Sequence, residues 1–83
     1  MLTGMSDQRQ AILIVDARGL RCPLPVLRLA AAARGAAAGT TIELLADDPH
    51  AAAELAAFLA ERCWLPLATE PTPNWTCYRL VTA

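Results

Sequence analysis

Two prolines, Pro23 and Pro25, stand two apart between a β-branched run and an alanine-rich stretch, and they limit the possible folds of this chain severely. Inside a helix each would remove a hydrogen bond and clash with the preceding turn. At a helix start they cost little, because the first N–H groups have no intrahelical partner. The alanine-rich stretch is therefore expected to begin a helix at Pro23, which puts Cys22 at the N-cap of a strand-to-helix turn. A thiol there meets the positive end of the helix dipole and unpaired amides, the Leu24 N–H being the expected capping donor. Both influences favour thiolate over thiol.

The same punctuation recurs further on. Thr40 to Ala46 alternates in hydropathy, with Ile42, Leu44 and Ala46 on one side, and Asp47-Asp48-Pro49 follows. This reads as a second strand, an acidic cap formed by Asp47 and Asp48, and a second helix from Pro49 to about Arg62. Before the first proline pair, Ala11 to Val15 is continuously apolar and ends at Asp16, which suggests a strand covered on both sides or nearly so. The first helix is expected from Pro23 to about Arg34, with Val26, Leu27, Ala30 and Ala33 inward and Gly35 as a stop signal, or Gly39 if Ala36 to Ala38 prolong it. In the second helix, Leu55, Phe58 and Leu59 form the apolar stripe, Cys63 continues it into the core, and Glu54 and Glu61 lie opposite. Leu65 to Glu70 is a third strand, placed at a sheet edge or started at Leu67 because Pro66 lacks a ladder donor. After a turn at Pro71-Thr72-Pro73-Asn74, Trp75 to Val81 forms the last strand, with Cys77 and Arg79 on its less covered side.

The order is βαβαββ. Right-handed crossovers place both helices on one face of the sheet, giving a two-layer α/β sandwich. Both helix starts then lie at one sheet edge, where Cys22 neighbours the turn Asp47-Asp48-Pro49-His50. One domain is expected over residues 11–83, behind a flexible lead-in at 1–10. With 83 residues the chain buries only about 60–65% of its surface, so a single small core must suffice. Trp64, Trp75 and Tyr78 are expected to close that core rather than to stack on bases.

Charge and cysteine usage exclude several functions. The net charge is −1, there is no lysine and the arginines are scattered, so no basic stripe exists for nucleic acid or for a membrane surface. No apolar run reaches the ~18 residues of a membrane span, and the start lacks a signal-peptide pattern, which points to the cytoplasm. Three cysteines with no close-spaced pair, and a single histidine, argue against a structural metal or a disulfide framework. Cys22 is the candidate reactive group. Arg18 and Arg21 are candidates to steer an anionic sulfur, Asp16 to end the strand and bind turn amides, and His50 to act as a proton partner. Asp47 and Asp48, if close to the sulfur, would raise its pKa and oppose the dipole. Cys63 and Cys77 are weaker candidates for a resolving thiol.

The stretch Asp16-Ala17-Arg18-Gly19-Leu20-Arg21-Cys22-Pro23-Leu24-Pro25, with Ala46-Asp47-Asp48-Pro49 beyond it, resembles the TusA (SirA-like) sulfur-carrier family, and the likeness extends from Ile14 to Val81. That resemblance implies a two-layer sandwich with a mixed four-stranded sheet. It also implies a small bacterial, cytoplasmic, monomeric carrier without a cofactor, whose CPxP cysteine accepts a persulfide sulfur from a cysteine desulfurase or other donor. The sulfur then passes to an acceptor protein for tRNA thiolation, cofactor assembly or sulfur oxidation. On this chain the sulfur-bearing residue is Cys22, framed by Asp16, Gly19, Arg21, Pro23, Leu24 and Pro25. The chain departs from better-characterised members in having Ala30 to Ala33 where they carry basic residues, and Leu24 where they carry an acidic one. Two other readings stand beside the carrier: a redox-sensing or regulatory thiol protein, and a non-catalytic module that binds a partner.

Overall fold

The computed structural model describes residues 12–83. The lead-in expected over Met1–Gln10, and Ala11 at the expected start of the first strand, lie outside these residues. The elements are β1 (Ile12–Asp16), α1 (Leu24–Ala33), β2 (Thr41–Ala46), α2 (Ala51–Arg62), β3 (Leu65–Pro71) and β4 (Thr76–Val81), in the expected βαβαββ order. The four strands form one mixed sheet in the order β1-β2-β4-β3. β1 and β2 are parallel, and β4 is antiparallel to both β2 and β3. Both helices cover the same face.

The core lies between that face and the helices. Val15 from β1, Ile42 and Leu44 from β2 and Leu80 from β4 meet Leu29 and Ala33 from α1 and Leu55 and Leu59 from α2. Strict alternation in β2 reproduces the expected pattern, with Ile42, Leu44 and Ala46 buried. Tyr78 and Trp64 pack against the rim of this core, and Trp64 meets Phe58 edge-on with ring centroids 5.5 Å apart. The geometry matches the preferred arrangement of aromatic pairs.

Several local expectations are corrected. β1 is not covered on both sides: only Leu13 and Val15 face the helices, while Ile12 and Ile14 are 45% and 61% exposed on the open face. An edge strand paired only to β2 can carry isoleucines on that face without a second layer of helices. In α1 the buried residues are Pro25, Val26, Leu29 and Ala33, and Leu27 is exposed. Cys63 is exposed rather than core. It terminates α2 in a left-handed conformation, φ 59°, which turns it out of the helical stripe. β3 is an edge strand, as Pro66 requires, yet it begins at Leu65 and absorbs the irregularity as a register shift between Pro66 and Ala68. Cys77 lies on the open face in register with Leu45 and Glu70, next to the cross-strand ion pair of Glu43 and Arg79 at 2.7 Å.

Candidate functional site

The turn from β1 into α1 and the turn from β2 into α2 lie side by side, as expected, and are joined by hydrogen bonds. Gly19 sits at φ +83°, a left-handed conformation that costs glycine nothing and strains other residues. That geometry aims its N–H at the Asp47 carboxylate, with both oxygens at 3.0 Å. Three residues on, the Cys22 N–H donates to Asp48 Oδ2 at 2.5 Å. The other Asp48 oxygen accepts the His50 N–H at 2.9 Å and lies 3.3 Å from His50 Nδ1. Asp48 is buried. The His50 amide, and after it the Cys22 amide, hold its carboxyl below the usual range, because each stabilises the charged form.

The two aspartates were expected to cap the second helix. They do something different. Asp47 turns to Gly19, and Asp48 serves His50 at the N-cap together with Cys22 in the other loop. No side chain caps α2 itself.

Cys22 lies one residue before the N-cap, not at it. α1 starts at Leu24 with Pro23 as N-cap, and the Cys22–Pro23 peptide is cis. The Leu24 N–H, expected to meet the sulfur, instead donates to the Arg21 carbonyl at 2.8 Å, while Pro23 and Pro25 have no N–H to offer. The half-buried thiol is pushed up in pKa rather than down. Desolvation is the largest cause, followed by the Glu54 carboxylate and then the charge of Asp48. Burial and the carboxylates beyond β2 thus act against the direction expected from a helix start.

Neither arginine expected to steer the sulfur is shown doing so. Arg18 binds Asp16 through Nε at 2.9 Å and Nη2 at 2.8 Å, and its guanidinium lies 4.8 Å from the centre of the Trp75 ring. Arg21 is exposed and contributes its carbonyl. Asp16 ends β1 and accepts the Arg18 amide, as expected. Its carboxyl is lowered to about 2, first by the Arg18 side chain and then by that amide. His50 is exposed and reaches Asp48. Cys77 lies on the opposite face of the sheet, and Cys63 at the far end of α2, so neither thiol is brought to Cys22.

Glu54, expected on a solvated face, is exposed there. It lines, with Glu61 and Phe58, a shallow groove against Pro23, Val26 and Leu27 of the neighbouring segment. Its position in the first turn of α2 was the available signal, since both helix starts were expected at one edge. Two apolar side chains in the first turn of α1 are open to solvent: Leu24 is 48% exposed and Leu27 56%.

A protein-family model, described as sulfurtransferase TusA, matches residues 13–79. The chain belongs to the TusA sulfurtransferase family. The match spans all but the first residue of β1 and reaches into β4, so it takes in both turns of the candidate site. A sulfur-carrier or sulfurtransferase role follows for this TusA-family protein. Among its described residues no helix is long and apolar enough to cross a membrane.

Proposed function

We propose that this TusA-family protein carries sulfur as a persulfide on Cys22. The observation that carries the reading is the half-buried CPxP thiol at the junction of the two turns, its backbone amide anchored by Asp48. A tethered loop holds the sulfur in one place, while the exposed Leu24 and Leu27 offer a docking rim to a protein partner. The sulfur of Cys22 attacks the outer sulfur of a donor persulfide and displaces the donor thiolate. The outer sulfur now on Cys22 is later taken by the thiolate of an acceptor, the same displacement that governs disulfide exchange.

The donor on this reading is a cysteine desulfurase or a related persulfide protein, and the acceptor serves tRNA thiolation, cofactor assembly or sulfur oxidation. The carrier works as a monomer in the cytoplasm of a bacterium and needs no cofactor. The test is incubation with glutathione persulfide, followed by intact mass and peptide mapping. One added sulfur on the peptide containing Cys22, and none on a Cys22→Ser variant, supports the assignment. Equal loading of that variant rejects it.

A further inference from the structure

We infer that the groove between α1 and α2 docks the protein that exchanges sulfur with Cys22, through a basic segment carrying an apolar side chain between two cationic ones. This rests on the carrier reading of Cys22 and adds the partner's surface chemistry to it. The groove, of about 250 Å³, is walled by Pro23, Val26 and Leu27 on one side and by α2 on the other. Ala57 and Phe58 give the α2 wall an apolar centre. Glu54 and Glu61, seven residues apart, stand on either side of that centre, about 10 Å from each other along the helix axis. Pro23 follows Cys22 directly in the chain, so the groove begins one residue from the sulfur.

Charge decides the occupant. Both glutamates are exposed, and among the described residues neither is in an ion pair. Arg62, the one cation of α2, rests on the Phe58 and Trp64 rings, its guanidinium 4.5 and 5.7 Å from their centres. Arg28, the one cation of α1, reaches the Asp16 carbonyl at 3.3 Å. The two carboxylates are left for a partner, and a lysine or arginine opposite each is the matching chemistry. Phosphate-bearing surfaces, nucleic acid and anionic membrane alike, meet the wrong sign there. Between the carboxylates, Phe58 and the 56% exposed Leu27 offer contact to an apolar side chain. Exposed charge pairs add little affinity and act mainly on encounter rate and choice of partner, so the signature is kinetic.

Two synthetic peptide persulfides provide the test. They share one sequence with a cysteine persulfide and a leucine, and differ only in carrying lysines or glutamates on either side of the leucine. Sulfur uptake is followed by intact mass at low salt in a Cys63→Ser, Cys77→Ser background. In each reaction the outer sulfur moves to Cys22 and the peptide leaves as its thiol, so a thiol and a persulfide become a persulfide and a thiol. The lysine peptide should load Cys22 about tenfold faster than its glutamate twin, and the ratio should shrink at high salt. Glu54→Lys and Glu61→Lys should each narrow the ratio and together invert it. Glu70→Lys, on the open face of the sheet, should leave it unchanged, which separates the groove from net charge. Equal rates for the twins, or equal narrowing by Glu70→Lys, overturns the proposal, and the carrier reading then stands on loading from glutathione persulfide. No loading of Cys22 by any of these persulfides sinks the carrier reading and the proposal together.

Discussion

The two strand-to-helix turns share one punctuation in sequence, an apolar run, an aspartate and a proline before an alanine-rich helix, yet they play opposite parts. The turn after β1 supplies donors and the sulfur: the Gly19 and Cys22 amides point outward from it. The turn after β2 supplies the acceptors, Asp47 and Asp48. Neither helix has a side-chain cap of its own. Polar groups that would ordinarily close each helix end are used to tie one turn to the other. The backbone that carries the sulfur is therefore held from the second turn, and the carboxylates beyond β2 add to burial in raising the thiol pKa.

Substitutions can break this division of labour at graded cost. The largest effect on stability is expected from Asp48→Ala, which leaves the Cys22 and His50 amides without their acceptor. Its melting temperature should fall further than that of any other single substitution in the two turns, with Asp47→Ala second because its site is exposed. Differential scanning calorimetry of both variants gives the ranking, and a reversed order would mean that the Gly19 tie is the stronger link.

Next in size is Gly19→Ala. The left-handed backbone there should make it destabilising by about 1 kcal/mol, although no atom lies within 4 Å of the added carbon. Gly35→Ala, at a glycine without a positive φ, should be stabilising by about 0.5 kcal/mol in the same urea titration. Equal changes at both glycines would remove the argument for a required conformation at Gly19.

The smallest expected effect concerns Asp16. Its folded-state pKa is depressed, so its contribution is present above the unfolded value and lost as pH falls. The window runs from 3.8 down to about 2. Asp48 is depressed as well and adds to acid sensitivity in the same direction. The sign for Cys22 is opposite: a raised folded pKa gives stability that is present at low pH and lost as pH rises through it. Asp16→Asn should therefore flatten the acid limb of a stability–pH profile only slightly, since its ion pair with Arg18 is exposed. A profile unchanged below pH 3.8 would show that the pair contributes nothing to folding.

Much of this architecture was legible before any coordinates. Ile42, Leu44 and Ala46 announced a half-buried strand because alternation has period two, and the prolines marked both helix starts to within one or two residues. The element order then brought the two turns together. What stayed hidden depended on neighbours. Ile12 and Ile14 look like core in a continuous apolar run, because nothing local reveals that the strand lies at a sheet edge with one face open. Leu27 and Leu29 compete for the same inward position in a helix whose remaining residues are nearly all alanine, so a small change in start moves the buried stripe. Glu54 reads as a solvated residue opposite Leu55 and Leu59. It is indeed exposed, and its charge bears on the sulfur only because α2 follows the turn that holds Cys22. The sign of the Cys22 shift was hidden for the same reason, since it is decided by desolvation and by two carboxylates, one in the turn after β2 and one in α2.

The most direct test of the account is a pH titration of Cys22 thiolate absorbance in a Cys63→Ser, Cys77→Ser background, alongside Glu54→Gln. The midpoint should lie above that of free cysteine under the same conditions and should fall when Glu54 loses its charge. A midpoint below free cysteine, unmoved by Glu54→Gln, would mean that the helix end governs the sulfur and that the second turn does not.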